Sequence, residues 1–318
     1  MERTDIGGRT AVNDEILDRA AGALVGSAAG DALGAGYEFT HPGPDSEIGM
    51  IGGGVFGWAP GQWTDDTSMA MAIALAADKS AGGIDLDEVA AGFMRWWDSQ
   101  PPDVGVQTSK VLGAGPATAR DMQAVAMSLP GLTGGNGSLM RTGPVALAFL
   151  DRPEECTRVA GTIGLLTHHD QQAIEACEMW SHAIRHAVVE AGFDGVREYA
   201  ARCPAADYWM PLLDQAETGT PQDFPKNGWV VHALQTAWWA ITTTEQSGPE
   251  HLPRALERCV RAGGDTDTTA AIAGALLGAR WGASAVPAEW RRILHGYPGL
   301  TGDDLVVLAH RIVLKNAG

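Results

Sequence analysis

Two short stretches far apart in the chain, Trp63-Thr64-Asp65-Asp66-Thr67 and Gly264-Asp265-Thr266-Asp267-Thr268-Thr269, share nearly one composition, and each opens a run of apolar residues with helical spacing. Threonine or aspartate at a helix start ordinarily satisfies the free N–H groups and the positive end of the helix dipole. One such residue suffices for that. Here each start carries two carboxylates flanked by hydroxyls, and neighbouring buried anions repel unless a cation neutralises them. If the two starts meet in space, four carboxylates converge on one point, and the apolar helices behind them must form the core.

Other segments repeat the helical pattern: Asn13 to Gly30, Asp66 to Lys79, Leu86 to Trp97, Leu139 to Leu150, Ala173 to Ala191, Trp229 to Thr242, Ala255 to Ala262, Thr268 to Trp281 and Leu305 to Val313. Strand-like alternation is almost absent. Ala20 to Gly36 and Ala270 to Ala283 are rich in Ala and Gly, which lets helix backbones approach closely, and Ala270 to Leu277 carries no charge on any side, as expected of a helix enclosed by others. Gly, Pro and Asp gather in Thr40 to Gly61, Gln100 to Asp103, Gly131 to Gly137 and Thr218 to Gly228, which read as loops. No stretch resembles a flexible linker. The pattern predicts an all-α chain with one compact multi-helix domain over residues 14–318, behind a loosely ordered polar tail at 1–13.

Charge and cysteine usage narrow the function. The formal net charge of −17 repels phosphate backbones and anionic headgroups, so nucleic acid and membrane surfaces are not expected partners. Cys156, Cys177, Cys203 and Cys259 lack the close pairing of a zinc ribbon or redox dithiol, and read as reduced, buried thiols. The first residues lack a secretory pattern, and charges interrupt every long apolar run. A soluble cytoplasmic protein is expected.

Carboxylate and hydroxyl oxygens with no Cys or His beside them suit hard ions such as Mg²⁺, Mn²⁺ or Ca²⁺. Neither cluster has the full EF-hand pattern. Three loops carry further chemistry. Gly134-Gly135-Asn136-Gly137-Ser138 precedes a helix and reads either as a plain turn or as a cradle of backbone N–H groups for phosphate oxygens; it lacks the Walker ending. Pro101-Pro102-Asp103 alone is a turn. In Thr167-His168-His169-Asp170, either Asp170 or Thr167 caps the following helix. His182 and His186 share a helix face at a spacing zinc can use, with no third ligand in view.

Five motifs in order, Gly26 to Glu38, Trp63 to Met69, Gly135 to Arg141, Leu166-Thr167-His168 and Gly263 to Thr268, resemble the ADP-ribosylglycohydrolase family over about Ala20 to Arg280. The resemblance implies an all-helical, orthogonally packed fold with a binuclear magnesium or manganese centre that cleaves the N- or O-glycosidic bond between ADP-ribose and an acceptor. It implies Thr64, Asp65, Asp66, Asp265, Asp267 and Thr268 as metal ligands. Glu38 and Asp103 are rivals for proton transfer, with Asp31 capping or supporting the Glu38 loop. Gly105, Asn136, Gly137, Ser138, Leu139, Met140 and His168 fall on the substrate side. Arg141 supports that loop or its charge, and Trp229 stands where the family commonly has a tyrosine against the nucleotide.

The substrate implied first is arginine-linked ADP-ribose on protein, since the Gly30-to-Gly34 and Asp103-to-Gly105 segments look closest to the dinitrogenase reductase-activating type. Serine-linked, polymeric and O-acetyl ADP-ribose are alternatives. A non-catalytic ADP-ribose binder and a phosphohydrolase cutting the pyrophosphate are rivals from other classes.

Overall fold

The computed structural model describes residues 12–43 and 45–316; of the expected tail, residues 1–11 lie outside these. Among the described residues there are fifteen α-helices: α1 (Asp14–Gly34), α2 (Asp65–Lys79), α3 (Leu86–Asp98), α4 (Val106–Leu112), α5 (Ala119–Ser128), α6 (Gly143–Ala148), α7 (Pro153–Gly164), α8 (Gln171–Glu190), α9 (Gly195–Arg202), α10 (Ala206–Thr218), α11 (Val230–Thr242), α12 (His251–Ala262), α13 (Thr266–Trp281), α14 (Ala288–Ile293) and α15 (Gly302–Asn316). A two-residue antiparallel pairing, β1 (His295–Gly296) with β2 (Leu300–Thr301), is the one sheet among them. The all-α expectation holds.

The centre is an antiparallel pair, α1 against α13, joined along a seam without side chains. Gly22, Gly26 and Gly30 face Gly278, Gly274 and Ala270 in turn, one helical turn apart. A Cβ on any of the three would run into the facing carbonyl oxygen. Backbone contact this close fixes how far one helix can slide along the other, so the end of α1 and the start of α13 meet at a set point. Thr266 Oγ1 donates to the Gly34 carbonyl at 2.9 Å there. From Thr266 to Ala279 every residue of α13 is buried, as the uncharged Ala270 to Leu277 run predicts.

Helix starts follow local chemistry. Asn13 Oδ1 accepts from the Ile16 N–H at 2.9 Å and opens α1. Asp170, not Thr167, caps α8, accepting from Gln172 N and Ala173 N at 2.9 and 3.2 Å. Two expected boundaries move because of proline. The Leu139 to Leu150 helix shrinks to α6, since Pro144 has no N–H and fits only a first turn. Ala255 to Ala262 lengthens backwards to His251, with Pro253 in the first turn. Helices α4, α5, α7, α9, α10 and α14 are additions to the sequence reading; α4, α5, α9 and α14 are too short for a helical period to stand out.

Candidate functional site

The two acidic helix starts converge. The end of α1 supplies the link: Asp31 is fully buried, Oδ1 accepts from the Thr64 N–H at 2.9 Å, and Oδ2 accepts from the Thr67 N–H and hydroxyl at 3.0 and 2.6 Å. Asp31 therefore caps α2 from another helix. Its expected service to the Glu38 loop is corrected: its hydrogen bonds all go to the α2 start, because the last turn of α1 points at α2. Thr64 and Asp265 occupy the cap positions of α2 and α13 without a side-chain cap bond. Plain capping thus does not account for the paired acids.

Asp267 Oδ1 accepts from the Thr268 N–H at 2.9 Å, and the carboxylates still face one another. One oxygen each of Asp31, Asp66 and Asp267 lies within 4.8 Å of the other two, and Glu38, Asp265 and Asp267 form a second such group. Asp267 belongs to both. Thr64 Oγ1 donates to Asp66 Oδ2 at 2.9 Å, whereas Asp66 Oδ1 and Glu38 Oε2 are buried without a hydrogen-bond partner. Buried polar atoms are nearly always paired, so two orphaned carboxylate oxygens in adjoining acidic groups fit cations as partners. Burial, then neighbouring negative charge, raises Asp65, Asp66 and Asp267 well above the usual carboxylate range. The same causes bring Glu38 to about 8 and Asp103 to about 6. The donor set is all oxygen and suits a hard cation.

Loops complete the site. Phe39 N donates to the Gly264 carbonyl at 2.7 Å, and Gly264 N to the Thr40 carbonyl at 3.1 Å, which holds the Glu38 loop against the turn before α13. Gly264 has φ +73°, a left-handed backbone that glycine tolerates, and a Cβ there would stand 2.5 Å from Asn227 Oδ1. Asn227 clamps this turn, accepting from Asp265 N at 3.1 Å and donating to the Gly263 carbonyl at 2.8 Å. Asn136 Nδ2 donates to Asp265 Oδ2 at 2.8 Å and to the Asn227 carbonyl at 2.9 Å. Gln107 Nε2 donates to the carbonyls of Thr133 and Thr167, at 3.0 and 2.8 Å, tying α4 to two more site loops.

Above the acids opens a cavity of about 1090 Å³. Of the residues expected at the site, Glu38, Asp65, Asp103, Gly105, Asn136, Gly137, Met140, His168, Trp229, Asp265, Asp267 and Thr268 line it. Thr64, Asp66, Ser138, Leu139 and Arg141 are buried and not part of that lining. Trp229 Nε1 donates to Gln172 Oε1 at 3.2 Å, and its ring lies 4.7 Å from that of His232. Sequence reasoning passed over Asp31 as part of the acidic group, and missed Asn227 and Gln107. Asn227-Gly228 signals only a turn, and Gln107 carries no signal. His182 and His186 approach Glu198 at 3.8 and 3.4 Å, outside the lining, but the Arg202 guanidinium sits 3.1 and 3.2 Å from the two ring nitrogens of His182, which leaves no room for a metal ion.

Known proteins share this architecture. The family model described as ADP-ribosylglycohydrolase matches residues 12–318. An ADP-ribosyl-[dinitrogen reductase] glycohydrolase of Rhodospirillum rubrum is 32% identical over 288 residues, spanning 86% of this chain and 90% of the relative. An ADP-ribosylarginine hydrolase of Pseudomonas putida is 28% identical over 288 residues, with 88% and 75% covered. A solved structure titled as an ADP-ribosylglycohydrolase-related protein complex superposes with TM-score 0.76 at 29% identity, covering 96% of this chain and all of that one. By fold, by its convergent acidic helix starts and by near full-length similarity, the chain belongs to the ADP-ribosylglycohydrolase family of hydrolytic enzymes.

Proposed function

We propose that the chain is a two-cation hydrolase of the glycosidic bond between ADP-ribose and an arginine side chain on protein. The observation that carries the two-cation reading is Asp267, whose carboxylate belongs to both acidic groups at once. Asp66 and Asp31 stand on one side of it, Glu38 and Asp265 on the other. Thr64, Asp65 and Thr268 complete the oxygen donors. Magnesium is the expected ion and manganese the alternative, both being hard and satisfied by carboxylate and hydroxyl oxygen. Bound there, divalent cations supply fixed positive charge that orients ribose hydroxyls and lowers the pKa of water.

The chain's own groups do the rest. Breaking the bond at the anomeric carbon builds positive charge on the ribose, and the carboxylates of Asp65, Asp103 and Glu38 on the cavity wall oppose that charge. Glu38 or Asp103, both on the cavity wall, carries a proton between the attacking water and the leaving nitrogen. The Gly134-to-Gly137 loop, which bridges to Trp229, and Met140 face the cavity and hold the pyrophosphate and nucleotide end, with Ser138, Leu139 and Arg141 buried behind them. An acidic cavity favours a cationic guanidinium as acceptor, in keeping with the name of the Pseudomonas putida relative.

A cytoplasmic site of action fits the four free, buried cysteines, and no helix among the described residues is long and apolar enough to cross a membrane. The test is product analysis with Mg²⁺ and an arginine-ADP-ribosylated protein. Release of free ADP-ribose is the expected outcome. AMP would identify a pyrophosphate-cutting enzyme, no product a binder, and release only from a serine-linked substrate a different acceptor.

A further inference from the structure

Behind the cavity wall lies a buried cation that makes no salt bridge among the described residues, although the Asp65 carboxylate acts on it electrostatically. Arg141 is fully buried, its guanidinium stacks over the Phe93 ring at 4.6 Å, and its hydrogen bonds go to Thr167 Oγ1 at 2.6 Å and to Met69 Sδ at 3.6 Å. Thr167 Oγ1 in turn lies 2.7 Å from His168 Nδ1. Thr167 is fully buried, and His168 is 2% exposed and lines the cavity. The capping role offered to Thr167 falls to Asp170.

Proton counting fixes the direction of this chain. A guanidinium only donates, so Thr167 Oγ1 accepts from Arg141 and has one proton left to give. The only acceptor within reach among the described residues is His168 Nδ1. Were Nδ1 to carry the proton instead, the buried threonine hydroxyl hydrogen would have no partner, which costs the full desolvation of a polar group. The threonine hydroxyl is satisfied on both sides only when Nδ1 is the acceptor and Nε2 carries the hydrogen, while Arg141 Nε stays without a partner in either case. Nε2 has no hydrogen-bond partner among the described residues. It lies at the Gly135–Gly137 loop, where a Cβ built on either glycine would stand 3.3 Å from it.

We infer that Thr167 is a positioning residue that locks His168 as the neutral Nε2–H tautomer, so that the cavity presents one fixed donor, backed by the buried Arg141, to an acceptor-only anionic oxygen of the ligand's pyrophosphate. The arrangement gives the site positive polarity without a second full charge. A protonated imidazole beside the guanidinium would repel it, and a tautomer with a bare Nε2 would repel the phosphate. This deepens the hydrolase reading and rests on it for the identity of the ligand.

The experiment uses the full chain labelled with ¹⁵N-histidine, with ADP-ribose as the probe. Two-bond ¹⁵N–¹H spectra of the wild type should show His168 as the Nε2–H form from pH 6 to 8. Thr167→Val, which keeps the shape and removes the hydroxyl, should mix the tautomers and weaken ADP-ribose binding about tenfold, the scale of one lost charge-assisted hydrogen bond. KM should rise with it while kcat changes less. Thr167→Ser should restore both the spectrum and the affinity to within about twofold. An Nδ1–H wild-type spectrum overturns the inference whether or not any variant folds, and so does a Thr167→Val protein with unaltered tautomer and affinity. The correct tautomer in a protein that fails to bind ADP-ribose would fault the functional reading and not the relay.

Discussion

Asp31 receives both the backbone N–H and the hydroxyl of Thr67, at 3.0 and 2.6 Å, so the start of α2 is capped by a carboxylate from α1 and not by its own threonine or aspartates. Asp31→Ala strands three donors in a fully buried place, the N–H groups of Thr64 and Thr67 and the Thr67 hydroxyl. Loss of a buried multi-bond acceptor costs about 2–4 kcal/mol. Urea unfolding in saturating Mg²⁺ should show a loss of that order, with activity falling alongside. A change under about 0.5 kcal/mol, the scale of an ordinary surface substitution, would mean that the cap is dispensable.

With α2 capped by Asp31, Asp66 has no such duty, and beside Asp31 and Asp267 it is a liability in the absence of cations. Asp66→Asn keeps an acceptor for the Thr64 hydroxyl, which donates to Asp66 Oδ2 at 2.9 Å, while removing one of several mutually repelling charges. In chelator the variant should melt above the wild type, by about 1–3 kcal/mol of stabilisation. In Mg²⁺ the order should reverse, because the wild type gains from ion binding and the variant does not. Calorimetric melts with and without chelator read both signs. A variant less stable under both conditions contradicts the repulsion on which the cation centre rests.

The same acids set the pH dependence. Asp31 and Asp103 are raised to about 6 and Glu38 to about 8, chiefly by burial. An acid with a higher pKa folded than unfolded binds more protons in the folded state, so its contribution is fully present below the unfolded value and is lost as pH rises through the folded one. Buried histidines act oppositely: His168, held near 3, and His182, near 4, cost stability as pH falls below their usual value of about 6.5. Between about pH 6.5 and 8 the acids dominate. The Tm of the chelated protein should therefore drop across that window, and the rise in Tm on adding Mg²⁺ should grow, since the ion competes with protons for the same oxygens. A magnesium effect that shrinks toward pH 8 is the contrary result.

Much of this was legible beforehand because the signals were local. The acidic pairs announce themselves at two helix starts, and the small residues of α1 and α13 mark the central seam. What stayed hidden depends on partners distant in sequence. Asp31 finds its donors 33 and 36 residues later, so its place beside Glu38 in the chain suggested the wrong loop. Asn227 clamps a turn 36 and 38 residues on, yet locally Asn-Gly announces only a turn of its own. Thr167 and Asp170 were equal candidates for one cap, and only their contacts separate them. Where proline interrupts an apolar run, as at Pro144, periodicity overstated the helix.

The glycine seam yields the sharpest test that site and core are one construction. Gly30 sits one turn before the end of α1, next to Asp31, and a Cβ on it would collide with the Ala270 carbonyl, which is backbone and cannot swing aside. Gly30→Ala must therefore push α1 and α13 apart or bend one of them, although alanine favours the helix by about 1 kcal/mol over glycine. Overpacking of a rigid contact costs about 1–3 kcal/mol or more, so a net loss of stability is expected. The displacement falls where Asp31 and Asp267 face each other, and it should widen the acidic group. Mg²⁺ affinity, read by titration calorimetry, should drop at least tenfold in a protein that is still folded. Gly83→Ala, in open space far from the seam, serves as the control and should alter neither quantity. If Gly30→Ala were to bind Mg²⁺ like the wild type, the helix spacing would not be what holds the carboxylates in place.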